Sequence, residues 1–309
     1  MDILCVGAAL VDSIIKGFDP EPISASGYRA ESGSLNVGGE AVNAAMAAAK
    51  LGLRTAILCA LGEDQAGDMI VWALERCGVQ TERIIRGKDH STPVTTMFVR
   101  EDGTRKSITN RAHRYNFHPE RCVDQMTDAR ALLLGSLFRA PFDDPEIVFS
   151  MLSGVKAANP LIFADTKLPN FRTLRLEDLS DSLPLIDWIT PNEDEARFFT
   201  GKEALEDMAD VFLRCGVRNV VVKLGAKGCF FKNAETKLRL PAFEIPAVDA
   251  TGAGDNFLAG LAAELLGGAS LPDALVFASA CGAICTTAVG AGTALKSRAQ
   301  VLRFLQNNS

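Results

Sequence analysis

The stretch VDATGAGD, residues 248–255, decides the fold of this chain, because a glycine-rich turn runs directly into a long apolar helical pattern, NFLAGLAAELL at 256–266. Gly252 and Gly254, with Ala253 between them, let backbone groups approach a ligand closely. The start of a helix adds unpaired N–H groups and a partial positive charge. The stretch therefore predicts an anion site that is well suited to phosphate oxygens.

Asp255 ends this turn, and the sequence alone supports two interpretations of it. An acidic residue at the start of a helix can cap it. A carboxylate at the same point can also take a proton from a hydroxyl that is about to attack phosphorus. We carry Asp255 forward as the candidate catalytic residue, with the backbone of Gly252, Ala253 and Gly254 as its anion-binding partner.

Outside this stretch, short β-rich runs alternate with helical patterns. This rhythm predicts an α/β protein with a mostly parallel sheet and helices on both of its faces. The predicted strands are Ile3–Val6, Thr55–Ala60, Ala131–Leu134, Leu161–Ala164, Leu185–Ile189 and Asn219–Lys223. The predicted helices include Ala41–Leu51, Asp68–Cys77 and Pro145–Ala158.

Two segments, approximately 13–37 and 92–110, break this rhythm. The first contains no long helical pattern, and the second alternates like a hairpin with Asp102-Gly103 as its turn signal. We expect a small separate sheet that forms a lid over the site, although two ordinary surface hairpins fit the same pattern. Because no internal repeat or low-complexity linker is visible, we expect residues 1–309 to form one domain that includes this lid.

A second glycine cluster, GGEAVN at residues 38–43, opens another predicted helix. Gly38 and Gly39 permit close approach by a ligand. Asn43 lies one turn into the helix, where its amide can donate to and accept from a hydroxyl-rich ligand. A plain loop with a buried Asn is the alternative interpretation.

A third cluster, TPNEDEA at residues 190–196, has the pattern of a helix start with Asn192 as its N-cap. Asn192 and Glu195 share a helix face. Acidic residues are common in a first helical turn because they complement the helix dipole. The functional hypothesis is a hydrated Mg²⁺ site, since this ion keeps several waters and takes few carboxylates.

A fourth cluster, VVVKLGAKGC at residues 220–229, reads as a strand, a glycine turn and a second strand. Ligands of open α/β sheets bind beyond the carboxyl ends of the strands. Lys223, Gly225 and Gly228 are therefore candidates to flank a nucleotide. A simple hairpin turn explains the pattern equally well.

The composition excludes several classes of protein. The 309 residues carry a net charge of −6, with 48% hydrophobic and 23% charged residues, which is ordinary for a globular protein. Non-specific nucleic-acid binding needs a basic stripe, and we expect none here. The chain shows neither a run of 18 apolar residues nor a basic leader, so we expect no membrane span and no secretion. Eight cysteines without a C-x-x-C pair, and three histidines without ligand spacing, predict free thiols in a reducing, cytoplasmic compartment.

Taken together, these motifs resemble the ribokinase-like (PfkB-type) carbohydrate kinases, in the order typical of that family and over nearly the whole chain. Residues 38–43, with Gly52 and Gly62 after them, are similar to the family's N-terminal signature, and residues 249–255 are similar to its C-terminal signature. The resemblance implies a three-layer α/β/α core with a β lid. It also implies transfer of the γ-phosphoryl group of ATP to a sugar or nucleoside hydroxyl.

The resemblance implies roles for individual residues as well. Asp255 would activate the acceptor hydroxyl, beside an anion hole made by the N–H groups of Gly252, Ala253 and Gly254. Sugar hydroxyls would be held by Asp12, Gly38, Gly39 and Asn43. Phosphate and hydrated Mg²⁺ would be served by Asn192 and Glu195, and the nucleotide would be lined by Lys223, Gly225, Gly228 and Gly282. The loop that holds a monovalent cation such as K⁺ in many members would be formed by Asp249 and Thr251, completed around Gly290.

Some positions depart from the family pattern. Glu40 stands where ribokinases carry Lys, so the resemblance does not specify ribose as the acceptor. Lys223 stands where Thr or Ser is common, and a lysine there is a candidate to contact phosphate directly. Ala294 replaces a Ser near the cation loop, which argues against activation by K⁺. Lys167 and, in the lid, Arg105 are each either a substrate contact or a solvated surface charge.

The leading hypothesis is a kinase that uses ATP and Mg²⁺ to phosphorylate a small sugar. A nucleoside kinase is the alternative within the same fold; it needs an apolar or aromatic platform, for which the lid offers Met97 and Phe98. A non-catalytic sugar-binding regulatory protein would need neither Asp255 nor the Gly-Ala-Gly turn. A P-loop enzyme is excluded and a dehydrogenase is disfavoured, because the chain has no G-x-x-x-x-G-K-[ST] and no G-x-G-x-x-G after its first strand. An exposed edge of the lid would favour a homodimer.

Overall fold

The computed structural model describes residues 1–19, 27–102, 104–110, 117–170 and 172–308. Its strands are β1 (Ile3–Gly7), β2 (Leu10–Lys16), β3 (Ser32–Gly38), β4 (Thr55–Leu58), β5 (Ala60–Gly62), β6 (Ile85–Gly87), β7 (Val94–Val99), β8 (Arg105–Thr109), β9 (Ala131–Leu137), β10 (Leu161–Thr166), β11 (Trp188–Thr190), β12 (Asn219–Lys223), β13 (Cys229–Asn233) and β14 (Lys237–Leu240). Its α-helices are α1 (Glu40–Lys50), α2 (Gln65–Arg76), α3 (Pro145–Lys156), α4 (Glu193–Thr200), α5 (Leu205–Arg214), α6 (Ala253–Leu266), α7 (Leu271–Cys285) and α8 (Arg298–Asn307).

A central sheet runs in the order β14-β13-β12-β11-β10-β9-β1-β4. From β4 to β12 the neighbouring strands are parallel, and β13 and β14 extend this sheet by antiparallel pairing. Every residue of β1 and β9 is buried, as expected for parallel strands that are covered on both faces. The prediction of a mostly parallel sheet is confirmed.

The central sheet separates two apolar clusters. Along β1, Ile3 and Cys5 belong to one cluster and Leu4 and Val6 to the other, which follows from the period-two alternation of a strand. Helices α1, α2, α6, α7 and α8 contribute buried residues to the first cluster, and α3, α4 and α5 contribute to the second. The three-layer α/β/α architecture is therefore confirmed.

A second sheet, which we call the lid sheet, has the strand order β3-β2-β7-β8. Strand β2 pairs antiparallel with β3 and parallel with β7, which joins the two segments that break the βαβ rhythm. The expected separate sheet is present, and it starts earlier than the predicted segment, at Leu10. Gly103 of the predicted turn lies outside the described residues, as do residues 20–26 and 111–116. The single-domain organisation and the homodimer remain predictions.

The predicted strand boundaries are wrong in two places. Leu185–Ile189 was expected as a strand, but Leu183–Leu185 forms a short 3₁₀ turn and the strand is Trp188–Thr190. Asp187 precedes that strand, and its buried carboxylate accepts a hydrogen bond from the backbone of Ile162 at 2.9 Å. The apolar run Thr55–Ala60, expected as one strand, is divided at Cys59 between β4 and β5, which belong to different sheets.

The functional edge of the central sheet is the one where β1, β9, β10, β11 and β12 end. Because these strands are parallel, their carboxyl ends lie together, where ligands bind in open α/β sheets. Two helices also begin here: Glu195 of α4 contacts Thr166 at the end of β10, and Gly254 of α6 lies beside Lys223 at the end of β12. Within the described ranges, none of the helices is long and apolar enough to cross a membrane.

Candidate active site

The first turn of α6 presents its backbone to this edge of the sheet. Gly252 has a φ of 76°, and a Cβ added to it would lie 2.1 Å from the Cβ of Ala291. A side chain is therefore excluded there by both conformation and space. A Cβ added to Gly254 would lie 2.8 Å from the Nζ of Lys223. Gly252 and Gly254 thus place no side chain over their own N–H groups, next to an ammonium group, whereas the N–H of Ala253 donates to the carbonyl oxygen of Ala250 at 3.2 Å.

Asp255 lies in this first turn and is only 8% exposed. Its Oδ2 accepts a hydrogen bond from Nδ2 of Asn43 at 2.8 Å, so α1 and α6 meet at this carboxylate. Burial, followed by the negative charges of Glu40 and Asp165, raises the pKa of Asp255 to about 7. A carboxylate that titrates near neutrality has the protonation behaviour of a general base.

Asp255 has the first turn of α6 and Lys223 on one side, which we call the phosphate side. The residues predicted to hold an acceptor surround Asn43, its hydrogen-bond partner, and we call this the acceptor side. A Cβ added to Gly38 would lie 2.5 Å from Oδ2 of Asp12, and one added to Gly39 would lie 2.4 Å from the carbonyl oxygen of Ala8. The Oδ1 of Asn43 is buried and has no hydrogen-bond partner among the described residues. A buried acceptor without a donor fits a site that is completed by a hydroxyl-bearing ligand.

Glu40 and Lys167 form an ion pair at 2.5 Å on this acceptor side. The Lys167 side chain is 46% exposed, so it is neither fully solvated nor buried. Burial alone would lower the pKa of Lys167, but the Glu40 carboxylate outweighs burial and holds that pKa above its ordinary value. Lys167 was predicted to be either a substrate contact or a solvated surface charge. Neither prediction included its partner Glu40, the first residue of α1.

Asn192 and Glu195 form a reciprocal capping box at the start of α4. The N–H of Glu195 donates to Oδ1 of Asn192, and the N–H of Asn192 donates to Oε2 of Glu195, both at 2.9 Å. The hydroxyl of Thr166 donates to the same Oε2 at 2.8 Å. Burial, followed by the charge of Asp165, raises the pKa of Glu195. The structural interpretation of this cluster is confirmed.

Sequence reasoning missed Asp165, which ends up at the centre of the site. Its Oδ1 accepts from Nζ of Lys223 at 2.6 Å and from the hydroxyl of Thr190 at 3.0 Å. Asp165 lies at the carboxyl end of a buried strand, and that position was the available signal.

The turn between β12 and β13 is rich in glycine, and it follows the carboxyl end of β12, which lies at the edge of the sheet described above. Gly225–Lys227 forms a single 3₁₀ turn, and Gly228 has a φ of 91°. A Cβ added to Gly228 would lie 1.9 Å from the carbonyl oxygen of Leu240, so the segment after β14 packs directly on this turn. The hairpin interpretation is therefore confirmed, and the nucleotide hypothesis stays a prediction.

A cavity of about 410 Å³ lies beside this turn and was not predicted. Gly282 lies one turn beyond the lining residue Ser279 on α7, and a Cβ added to Gly282 would lie 3.2 Å from the carbonyl oxygen of Ala253. Gly282 thus permits α7 to pack closely on the start of α6. The cavity is lined by Leu240, Pro241, Ala242, Phe243, Glu244, Val276, Ser279 and Asn308.

The Asp249 loop is held by internal hydrogen bonds. Oδ1 of Asp249 accepts from the N–H and the hydroxyl of Thr251 at 3.0 and 2.7 Å, and Oδ2 accepts from the N–H of Gly290 at 2.9 Å. Burial would raise the pKa of Asp249, but these bonds and the charge of Arg105 hold it below its ordinary value. The positive charge of Arg105, on the exposed strand β8, therefore acts on the Asp249 carboxylate of this loop.

Donors also reach the carbonyl oxygens around this loop. Nδ2 of Asn256 donates to the carbonyl oxygens of Gly252 and Ala291 at 2.8 and 3.1 Å. The thiol of Cys285 lies 3.4 Å from the carbonyl oxygen of Thr251. Nζ of Lys50 donates to the carbonyl oxygen of Gly292 at 2.5 Å.

A three-layer α/β core with a lid sheet, a glycine-rich helix start and a buried carboxylate beside it are the features expected of an enzyme that handles phosphate. A family profile described as pfkB family carbohydrate kinase matches residues 1–298. The chain belongs to this family and is a carbohydrate kinase.

Named relatives agree with this assignment. The chain is 30% identical to a ribokinase of Haemophilus influenzae over 276 residues, which cover 87% of each chain. It is 28% identical to a probable fructokinase-5 of Arabidopsis thaliana over 287 residues, 88% of this chain and 89% of that protein. Among solved structures, Arabidopsis thaliana ribokinase complexed with ribose and ATP superposes with a TM-score of 0.83 at 28% identity, covering 99% of this chain and 98% of that one.

Proposed function

We propose that this kinase transfers the γ-phosphoryl group of ATP to a hydroxyl of a small sugar, with Asp255 as the base. The observation that carries the proposal is the position of Asp255, a buried carboxylate with a pKa of about 7 in the first turn of α6. The names of the relatives, ribokinase and fructokinase, support a sugar as the acceptor.

In the proposed reaction, Asp12, Asn43 and the backbone at Gly38 and Gly39 hold the acceptor. Asp255 takes the proton of the acceptor hydroxyl as its oxygen bonds to the γ-phosphorus. The bond from that phosphorus to the ADP oxygen breaks, and ADP leaves with the electron pair. The N–H groups of Gly252 and Gly254 stabilise the charge on the transferred group, and the N–H of Ala253 joins them when it leaves the carbonyl oxygen of Ala250, so catalysis rests mostly on positioning and electrostatics.

Mg²⁺ fits the residues on the phosphate side of Asp255. Within the described part of the chain, no group of three or more His, Cys, Asp or Glu residues is placed to hold a metal alone. Glu195 offers a buried carboxylate whose two described bonds end on Oε2, so Oε1 is placed to accept from a metal-bound water. When bound, Mg²⁺ supplies charge neutralisation on the phosphates.

The Asp249 loop, in contrast, does not offer free oxygens to K⁺. Both carboxylate oxygens of Asp249 already accept hydrogen bonds, and the neighbouring carbonyl oxygens face the amide of Asn256, the thiol of Cys285 and the ammonium of Lys50. These donors occupy the oxygens that a cation cage requires. We therefore derive no step through a monovalent cation.

The nucleotide base is proposed to occupy the cavity of about 410 Å³ beside Gly228. This cavity has apolar walls with a few polar atoms, as nucleotide-sized pockets generally do. Gly225 and Gly228 then lie between the base and the phosphates, and Lys223 lies at the phosphate end.

The lid sheet favours a sugar over a nucleoside. Asp12 is in register with Thr95, so Met97 shares the face of the sheet that carries Asp12, whereas Phe98 belongs to the opposite face. Phe98 packs there against Phe18, with ring centroids 5.5 Å apart. Of the two platform candidates, the aromatic one, Phe98, is therefore turned away from the acceptor side, and Met97 lies on the face that carries Asp12.

The test is an ADP-release assay with ATP and Mg²⁺ over a panel of neutral sugars and nucleosides. We expect turnover with at least one sugar, and Asp255→Asn should lower it by about 10²–10⁴-fold, the usual contribution of a general base. Asp68→Asn is the matched control, because Asp68 is an acidic first-turn residue of α2 whose side chain pairs with Arg86. Unchanged turnover of Asp255→Asn would contradict the base assignment, and activity on nucleosides alone would contradict the acceptor class.

A further inference from the structure

We infer that Lys223 is part of the anion hole and contacts the γ-phosphoryl group during transfer, and that Asp165 is the residue that positions it. This inference rests on the proposed kinase function and adds a charged member to a site otherwise built from backbone N–H groups. It also gives a role to Asp165, a residue that the sequence did not single out.

The first argument is the location of the ammonium group. Nζ of Lys223 lies 2.8 Å from the point where a Cβ of Gly254 would be, which places it against the first turn of α6. The backbone N–H of Lys223 donates to the carbonyl oxygen of Pro191 at 2.8 Å, which ties it to the segment before Asn192. The ammonium therefore lies between the anion hole and the proposed magnesium side.

The second argument is how the ammonium is held. Asp165 accepts one of its hydrogen bonds at 2.6 Å, and the Lys223 and Asp165 side chains are only 15% and 8% exposed. The hydroxyl of Thr190 fixes the same carboxylate oxygen. An ammonium group has three donors; among the residues that the structure describes, Asp165 accepts from one of them, which orients the group and leaves two donors for phosphate oxygens.

The third argument is charge. The chain carries a net charge of −6, and Asp165, Glu195 and Asp255 surround the place that a polyanionic nucleotide must reach. Backbone N–H groups at a helix start offer only partial positive charge. Lys223 is the ammonium group on this side, where Asp165 holds it, and Lys167 is the ammonium group on the acceptor side, where Glu40 holds it. Charge of this kind is most effective where phosphoryl charge develops.

A purely structural ion pair is the competing explanation, and its expected effects are different. Removing one member of a buried pair destabilises the fold, because an unpaired charge is left behind. It would change the affinities for ATP and ADP equally. A contact with the γ-phosphoryl group affects ATP and leaves ADP nearly unchanged.

The experiment compares Lys223→Met with Lys232→Met by calorimetric titration of ATP and ADP in the presence of Mg²⁺ and without acceptor. Lys232 is a matched control, since it is 16% exposed and paired with Asp210 at 2.6 Å, outside the site. Lys223→Met should weaken ATP binding by about tenfold or more and ADP binding much less, as expected for a lost charge-assisted contact. Equal losses for both nucleotides, or none, would overturn the inference.

Asp165→Asn tests the positioning role. It should lower kcat, and this effect should disappear in the Lys223→Met background if Asp165 acts through the lysine. The pH midpoint of the residual activity should also fall, because the charge of Asp165 raises the pKa of Asp255. Additive losses in the double variant would contradict the positioning role.

The double variant Lys223→Met/Asp165→Asn also guards against misfolding. Its pair is neutral, so it allows the nucleotide comparison if Lys223→Met alone does not fold. A wild-type protein that prefers ATP through Lys223 but phosphorylates no sugar would refute the proposed acceptor and leave this inference standing. A protein that phosphorylates a sugar, and in which Lys223→Met has no effect on nucleotide binding, would refute this inference and leave the proposed acceptor standing.

Discussion

The two sides of Asp255 use the same device, a lysine paired with a carboxylate, in different surroundings. On the acceptor side Lys167 meets Glu40 at 2.5 Å, and the lysine remains about half exposed. On the phosphate side Lys223 meets Asp165 at 2.6 Å, and both side chains are nearly buried. Exposed pairs are loosely held and screened by solvent, whereas buried pairs are fixed in one geometry.

The two sides also differ in the elements that supply their other residues. The phosphate side is built from the ends of β10 and β12 and the start of α6, all parts of the central core. The acceptor side includes Asp12 and Gly38, which lie on strands of the lid sheet. In the proposed reaction the core would therefore carry phosphoryl transfer, and the lid, together with Asn43 of α1, would select the acceptor.

The largest expected effects on kinetics come from replacing one glycine by alanine on each side of Asp255. In Gly254→Ala the new Cβ would lie 2.8 Å from Nζ of Lys223, and in Gly38→Ala it would lie 2.5 Å from Oδ2 of Asp12. Gly254→Ala should lower kcat about 10²-fold with every acceptor, because it displaces a charge at the reacting phosphate. Gly38→Ala should raise the KM for the acceptor and leave the KM for ATP unchanged.

Steady-state kinetics with saturating and limiting ATP would measure both variants. Thermal unfolding must show that each is folded, which is expected because neither glycine has a positive φ. An acceptor-dependent loss in Gly254→Ala, or a rise in the KM for ATP in Gly38→Ala, would contradict the division into two sides.

A smaller effect is expected on the pH dependence. Asp255 acts as a base only when it is ionised, so the rate should rise with pH through a midpoint near 7, its pKa being raised to about 7. Glu40 contributes to that rise in pKa from the acceptor side, so Glu40→Gln should move the midpoint to lower pH. Glu193→Gln, a carboxylate of α4 that pairs with Arg197, is the control and should leave the midpoint unchanged. A midpoint that moves up in Glu40→Gln would contradict the electrostatic coupling across Asp255.

The smallest expected effect concerns monovalent cations. Because internal donors already reach the oxygens of the Asp249 loop, rates in potassium and tetramethylammonium salts of equal ionic strength should be the same. Lys50→Met should then make the enzyme sensitive to K⁺, since it removes the ammonium from the carbonyl oxygen of Gly292. A clear stimulation of the wild-type enzyme by K⁺ would show that the loop opens to admit the ion.

The parts of the molecule that could be predicted from sequence depend on local patterns. Buried strands such as Ile3–Val6 follow from short apolar runs, and the start of α4 follows from the spacing of Asn192 and Glu195. The predicted strand at Leu185–Ile189 was displaced because apolar residues alone do not distinguish a short 3₁₀ turn from a strand.

The parts that could not be predicted depend on contacts between distant segments. Asp165 and Lys223 are 58 residues apart, and Glu40 and Lys167 are 127 apart. No local spacing specifies either pair, because each one arises only when strand order brings the segments together. The raised pKa of Asp255 has the same origin, since its causes after burial are Glu40 and Asp165.

The route of the chain into and out of the lid sheet has a consequence for engineering. The chain leaves the core after Gly7, forms β2 and β3, and returns at Gly38, two residues before α1 begins at Glu40. The insertion therefore has two short joints and carries Asp12 on its first strand, whereas Lys223 and Asp165 belong to the core. With Asp12 as the proposed acceptor contact, exchanging residues 10–38 between members of the family should change acceptor preference while β7, β8 and the phosphoryl-transfer centre stay the same.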